Sequence, residues 1–261
     1  MQVEKPILMI HGVGCGGDAW SVMAPLMQAK GWTPYTPTLY PQFRVKENPT
    51  GQLSTLGLHD YVEAAKAEAL AIERSTGEEP VLMGHSMGGL IVQKLAEQGV
   101  GKAAILVTPA QPVDCQVQDL RVLFTFANVV LKGDPKLSYK VWKTGFRWGV
   151  LNQVAPERHD EIYASALYDS GLVYQHLGKP EMDPHRVAVI NERSIECPIL
   201  TIGAVQDRAT VIQAVRKVAQ KYARIGGDYR EYDGAAHWII DEPKTSAVTA
   251  DICEWLESKG L

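Results

Sequence analysis

The sequence has no long hydrophobic run, no basic stripe and few cysteines. Its apolar runs are far shorter than the roughly 20 residues that a membrane-spanning helix requires. Charges of both signs are dispersed and the net charge is -4, which argues against a nucleic-acid-binding surface. No repeat, low-complexity tract or linker interrupts the 261 residues. We therefore expect a globular protein that acts on a small molecule, without a nucleic-acid partner or membrane insertion.

The few cysteines are scattered, with neither metal-ligand spacing nor the density of a disulfide scaffold: Cys15, Cys115, Cys197 and Cys253. They predict free thiols in a reducing compartment. The residues before Gly12 include Glu4 and Lys5 and only about six apolar side chains, too few for the core of a signal peptide. We expect a cytoplasmic protein.

Short apolar segments alternate with amphipathic ones over most of the chain. The predicted strands cover residues 6–10, 33–39, 80–84, 102–108, 197–203 and 229–232. The predicted helices cover residues 18–30, 59–75, 87–98, 211–224 and 245–258. Such alternation predicts an α/β fold, with a doubly wound, mostly parallel sheet of about six strands covered by helices on both faces.

This alternation stops between residues 110 and 194. The segment is rich in aromatic residues, and its predicted helices cover residues 117–131, 138–148 and 157–168. A stretch of this length that fits no strand–helix rhythm predicts a helical cap inserted into the core. The core then consists of residues 1–109 and 195–261.

Ser86 lies in a G-x-S-x-G sequence, Gly84-His85-Ser86-Met87-Gly88, between a predicted strand and a predicted helix. A serine on such a tight turn takes a strained backbone conformation and exposes its hydroxyl. The glycines suit places where neighbouring chain segments come too close for a β-carbon. The dipole of the following helix favours a developing anion at the serine. We therefore predict that Ser86 is a nucleophile.

The turn around Ser86, together with Ile10-His11-Gly12-Val13-Gly14 after the first strand, resembles the α/β-hydrolase superfamily. The resemblance extends over nearly the whole chain, with segment 110–194 in the place of that family's cap. The family's His-Gly strand is usually its third, and here it is the first. The resemblance therefore implies an α/β-hydrolase fold that lacks the leading β-hairpin.

The resemblance also implies roles for further residues. The amides of Val13 and Met87 correspond to the donors of the oxyanion hole. The chain order Ser–Asp–His, with the histidine on a loop after the last strand, selects His237 as the base and Asp207 as its orienting acid. Asp114 is the reserve acid. We expect His11 to brace its loop, and we expect the other downstream histidines to lie at the surface: His159, His176 and His185.

The aromatic residues of the cap cannot all be buried against each other, so some are expected to line an apolar pocket over Ser86. The candidate substrate-binding residues are Cys15, Trp142, Trp148 and Trp238. This composition favours an apolar acyl or aryl ester over a strongly charged substrate.

We therefore predict a carboxylic ester hydrolase that works through an acyl-enzyme and needs neither metal nor cofactor, as a monomer or homodimer. Lactonase, amidase and carbon–carbon bond hydrolase activities remain open on the same scaffold. A hydroxynitrile lyase also remains open, because that activity adds a cap lysine and the cap has four candidates: Lys132, Lys136, Lys140 and Lys143. A ligand-binding receptor without catalytic activity is the alternative from a different class.

Overall fold

A computed structural model describes residues 4–261. Its main sheet has six parallel strands in the spatial order β2-β1-β3-β4-β7-β8. The strands are β1 (Pro6–Ile10), β2 (Thr33–Tyr35), β3 (Val81–His85), β4 (Ala104–Val107), β7 (Ile199–Ala204) and β8 (Asp228–Tyr232). Two short strands, β5 (Ser138–Tyr139) and β6 (Asp169–Ser170), form a separate antiparallel pair. The predicted α/β fold is confirmed.

Helices cover both faces of the sheet because its central strands are apolar on both sides. One face packs against α1 (Met23–Ala29) and α10 (Thr245–Ser258). The other packs against α2 (Leu58–Thr76), α3 (Met87–Glu97) and α9 (Ile212–Ala223). Alternate residues of β1 belong to opposite layers: Ile7 and Met9 to the first, and Leu8 and Ile10 to the second. This alternation follows from the two-residue period of a strand.

The first part of the chain departs from the predicted boundaries. The predicted helix 18–30 is a 3-10 turn, Gly17–Trp20, followed by the shorter helix α1. Gly16 precedes that turn, so Asp18 does not cap it. The predicted strand 33–39 ends at Tyr35, because Pro37 has no amide hydrogen to continue a ladder.

Between β4 and β7 the chain forms short elements. The helices are α4 (Leu120–Thr125), α5 (Ala127–Lys132), α6 (Lys143–Gly145), α7 (His159–Ser165) and α8 (Gly171–Gly178). A π-helical turn, Phe146–Val150, continues α6. The predicted helix 138–148 was wrong at its start, where Ser138 pairs with Ser170 in β5–β6. The predicted helix 117–131 divides near Phe126, and the predicted helix 157–168 gives way to extended chain after Ser165.

Candidate active site

Ser86 occupies a strained turn at the end of β3. Its φ is +54° and its ψ is -119°, in the region that non-glycine residues rarely adopt. A β-carbon on Gly84 would lie 2.1 Å from the carbonyl oxygen of Gly88. A β-carbon on Gly88 would lie 2.1 Å from the carbonyl oxygen of Ile10. The turn therefore requires both glycines, and it places Ser86 at the N-terminus of α3.

The structure brings His237 and Asp207 together on loops that follow β8 and β7. Both are buried, and Nδ1 of His237 lies 2.9 Å from Oδ2 of Asp207. The other oxygen of Asp207 accepts the amides of Ala209 and Thr210 at 2.7 and 2.8 Å. With Oδ1 held by these amides, Oδ2 accepts the Nδ1 proton of His237 and leaves Nε2 as a proton acceptor.

Ser86 and His237 line the same cavity. Within residues 4–261 the hydroxyl of Ser86 makes no hydrogen bond, so no hydrogen bond joins the serine to the histidine. Such contacts commonly tighten only when a substrate binds.

His85, the residue before the serine, is hydrogen-bonded to the backbone of the His237 loop. Its Nε2–H donates to the carbonyl oxygen of His237 at 2.8 Å. A carbonyl oxygen only accepts, so the proton of this neutral ring is on Nε2. Burial and the neighbouring His237 ring hold the pKa of His85 well below its usual range. No local sequence pattern indicates this contact, because it joins residues 152 positions apart.

The loop after β1 carries the predicted oxyanion donor Val13. Within the described chain, the amides of Val13 and Met87 donate no hydrogen bond to the protein, so both are available to an anion. The loop is anchored at Gly14, whose amide donates to Asp169 Oδ2 at 2.8 Å. The carbonyl oxygen of Gly14 accepts the amide of Leu167 at 2.8 Å. Two contacts from the segment between β4 and β7 thus fix this loop.

A fully buried ion pair between Arg44 and Asp169 also stabilises the loop after β1. Arg44 Nη2 lies 2.8 Å from Asp169 Oδ2 and donates to the carbonyl oxygen of Cys15 at 2.6 Å. Tyr61 donates to the other oxygen of Asp169 at 2.5 Å. His11 Nε2 lies 3.0 Å from both the Leu39 amide nitrogen and Arg44 Nη1. Burial and the charge of Arg44 hold the pKa of His11 well below its usual range, so neutral His11 braces the loop.

The cavity over Ser86 is narrow and mostly apolar, and its volume of about 20 Å³ holds little more than one water molecule. The core contributes Gly12, Val13, Cys15, His85, Ser86, His237 and Trp238. The segment between β4 and β7 contributes Phe126, Val141, Phe146 and Val150. The last two lie on the π-helical turn, a distortion that is frequent at functional sites. No local sequence pattern marks these four residues as part of the lining.

Two of the predicted substrate-binding residues lie outside this lining. The indole of Trp142 donates to the carbonyl oxygen of Thr125 at 3.1 Å. Trp148 packs against Phe124 and against the guanidinium of Arg208. Cys15 is in the lining, and burial raises the pKa of its thiol to about 12, so the thiol stays protonated.

Other residues considered from the sequence are also separate from the cavity. Asp114 forms an ion pair of 2.6 Å with Lys221. The prediction that His159 and His176 lie at the surface was wrong, because both are buried; His185 is exposed and stacks on His59. The four lysines considered for a lyase, Lys132, Lys136, Lys140 and Lys143, are absent from the lining. In residues 4–261, no group of three or more His, Cys, Asp or Glu side chains is arranged to hold a metal ion.

Glu242 is a buried carboxyl group close to the His237 loop. Its Oε2 accepts the amide of Ala236, next to His237, at 2.8 Å. Burial, with a smaller contribution from the charge of Asp207, raises the pKa of Glu242 to about 7. Glu242 therefore ionises near neutral pH inside the protein.

This raised pKa predicts a pH-dependent stability. The native state binds the Glu242 proton more tightly than the unfolded chain does, so this contribution is present at low pH and is lost as the pH rises through the window from 4.5 to about 7. Its size is roughly 3 kcal/mol. Glu242→Gln should flatten the pH dependence of the unfolding free energy in that window, measured by urea denaturation. Exposed Glu254 supplies the control Glu254→Gln. An unchanged slope in Glu242→Gln would disprove the assignment.

A parallel sheet with a strained serine turn after a central strand defines an α/β-hydrolase core. The sequence matches the model of the alpha/beta hydrolase family over residues 7–248, and the chain belongs to that family. A monoacylglycerol lipase of Mycolicibacterium smegmatis is 22% identical over 178 residues, which cover 68% of this chain and 62% of the lipase. The chain therefore matches about three fifths of the length of that relative.

Solved structures share the fold at low sequence identity. A monoacylglycerol lipase of Paleococcus ferrophilus superposes with a TM-score of 0.68 at 20% identity, covering 97% of this chain and 94% of the lipase. The methylesterase MES16 from Arabidopsis superposes with a TM-score of 0.72 at 14% identity, covering 97% and 99% of the two chains. No helix within residues 4–261 is both long and apolar enough to cross a membrane.

Proposed function

We propose that the protein hydrolyses carboxylic esters through an acyl-enzyme. Ser86 Oγ attacks the ester carbonyl carbon while His237 Nε2 takes the serine proton. The carbonyl oxygen becomes an oxyanion that accepts the amides of Val13 and Met87. His237 then protonates the departing alcohol, and a water molecule repeats the sequence on the acyl carbon to release the acid. Asp207 orients His237 and stabilises its cation throughout.

The arrangement around the cavity is the observation that carries this proposal. Ser86, His237 with its 2.9 Å contact to a carboxylate, and Val13 line one apolar cavity, and Met87 follows the serine directly. Acyl transfer requires a nucleophile, a base held in one tautomer and donors at the oxyanion position. This chain offers all three from its own residues.

Apolar acyl or aryl esters are the proposed substrate class. Phe126, Phe146 and the other apolar lining residues favour an apolar group and offer no cation to pair with a charged one. The names of two similar proteins, a monoacylglycerol lipase and a methylesterase, support an ester substrate. We further propose that residues 110–194 form a cap that selects the substrate.

A fluorophosphonate probe tests the nucleophile directly. The probe should attach covalently to Ser86 in the folded protein, as identified by peptide mass spectrometry, and heat-denatured protein should not react. Ser54→Ala is a matched control, because Ser54 lies on an exposed turn away from the cavity and its loss should leave labelling intact. Folded wild-type protein that resists the probe would refute the serine-hydrolase proposal.

Acyl-chain preference should depend on Phe146. We expect wild-type protein to hydrolyse p-nitrophenyl butyrate and hexanoate faster than the acetate, because an apolar acyl group gains roughly 0.8 kcal/mol for each buried methylene. Phe146→Ala should shift the optimum toward longer chains by about two to four carbons, given the space a phenyl ring leaves. Phe124→Ala, which lies outside the lining, should keep the wild-type profile. Activity confined to acetate would contradict the apolar acyl site.

The alternatives differ in what they require. A hydroxynitrile lyase with a cap lysine has weaker support, because Lys132 and Lys136 are exposed and Lys143 pairs with Asp160. Lactonase, amidase and carbon–carbon bond hydrolase activities use the same residues and are separated by substrate panels. A receptor would bind ligand and turn over none of these substrates.

A further inference from the structure

The outer side of α4 and α5 exposes a concentrated apolar surface. The structure has eleven exposed large hydrophobic side chains, and six of them lie between residues 120 and 137. The most exposed are Leu120 and Leu131, at 82% and 85%. We call this surface the α4–α5 face; its members are Leu120, Leu123, Phe124, Val130, Leu131 and Leu137.

Helical spacing places the exposed residues of each helix on one side. Leu120, Leu123 and Phe124 follow intervals of three and four in α4, and Val130 and Leu131 are neighbours in α5. The two helices meet at Phe126, which donates to the carbonyl oxygen of Val122 at the end of α4 and accepts the amide of Val130 at the start of α5. Thr125 and Val129 point inward and are buried. The helix pair is thus apolar on its solvent side as well as its inner side.

The surroundings of the α4–α5 face are basic. Residues 119–147 contain six lysines and arginines and two aspartates, a net charge of +4 in a chain whose total is -4, so the remainder carries -8. Arg121 pairs with Asp119, and Lys143 and Arg147 lie near Asp160. Lys132 and Lys136 are exposed, share a surface depression with Leu137, and have no ion-pair partner among residues 4–261.

We propose that the α4–α5 face docks on an anionic lipid surface. Exposed leucines flanked by lysines match such a surface, because the apolar side chains enter the headgroup region while the ammonium groups meet lipid phosphates. A second copy of the chain is a poorer occupant. A twofold dimer through this face would set the same basic segments against each other. Adsorption through the side chains of the α4–α5 face does not depend on the proposed catalytic roles.

Vesicle sedimentation tests this docking. Wild-type protein should sediment with vesicles of equal parts phosphatidylglycerol and phosphatidylcholine, and much less with phosphatidylcholine alone. Lys132→Gln and Lys136→Gln should each lower the partition coefficient by about fivefold. Leu120→Ser combined with Leu131→Ser should lower it by about tenfold or more, because both side chains are lost from the interface.

Matched substitutions elsewhere are the controls. Leu70→Ser on α2 and Lys30→Gln at the end of α1 also change exposed residues, and both should keep wild-type partitioning. All variants should retain wild-type hydrolysis of a water-soluble ester, because none of these residues lines the cavity.

The proposal is overturned if wild-type protein does not bind the anionic vesicles, or if the control variants lose as much binding as the face variants. It is also overturned if light scattering shows a dimer that Leu131→Ser dissociates while vesicle binding is absent. A failed ester assay with intact vesicle binding would instead count against the proposed function alone.

Discussion

Replacing Ser86 with alanine is expected to lower kcat for p-nitrophenyl butyrate by about 10⁴-fold to 10⁶-fold, because the acyl-enzyme can no longer form. The fold should be retained, since alanine differs from serine only by the hydroxyl, which makes no hydrogen bond within residues 4–261. KM should change much less than kcat, because the apolar lining that binds the acyl group remains. Steady-state kinetics, with the concentration of each protein taken from its absorbance, provide the measurement.

The kcat values of His237→Ala and of the double variant Ser86→Ala/His237→Ala test whether the two residues act in the same step or contribute independently. Serine and histidine act in one step, so Ser86→Ala/His237→Ala should be about as slow as Ser86→Ala alone. Multiplicative losses would contradict a shared step. Ser54→Ala is again the matched control and should keep wild-type kcat.

Replacing Asp169 with alanine is expected to destabilise the protein by about 3–5 kcal/mol, because Arg44 would remain as an unpaired charge in the interior. Both partners are completely buried, so water cannot replace the lost carboxylate. The amide of Gly14 and the hydroxyl of Tyr61 would lose their acceptor as well. Urea denaturation followed by tryptophan fluorescence measures the change.

An exposed ion pair provides the control for this prediction. Glu231 contacts Arg216 through two oxygens near the surface, and Glu231→Ala should cost no more than about 1 kcal/mol. Changing both buried partners, Arg44→Met with Asp169→Leu, should cost less than Asp169→Ala alone, because no charge stays unpaired. A small loss in Asp169→Ala would mean that water or a neighbouring group compensates Arg44.

The core of the fold could be predicted because its signals are local. The bounds of α10 were predicted at both ends, since periodic apolar residues define its extent. The strained turn at Ser86 follows from glycines that sit where the chain has no room for a β-carbon. The four inner strands, β1, β3, β4 and β7, are mostly apolar and buried at every residue, which is the pattern of strands covered on both faces.

The segment between β4 and β7 could not be predicted to the same depth, because its structure depends on contacts distant in sequence. Ser138 forms a strand only because Ser170 pairs with it. Among the aromatic residues, packing alone decides that Phe126 and Phe146 line the cavity while Trp142 and Trp148 do not. Arg44 and Asp169 are 125 residues apart, and neither carries a local sign of its partner.

The charge pair at Asp169 also limits how the cavity can open. Residues 167–170 are joined to the loop after β1 by the Leu167 amide and the Asp169 carboxylate. Separating residues 167–170 from this loop would leave a charge unpaired in the interior, at a cost of several kcal/mol. We therefore expect these residues to stay in place. We therefore expect the cavity to widen for a substrate on the side that Phe126 and the π-helical turn line. Substitutions at Phe126 or in the π-helical turn should therefore change the rate of substrate entry, whereas substitutions in residues 167–170 should not.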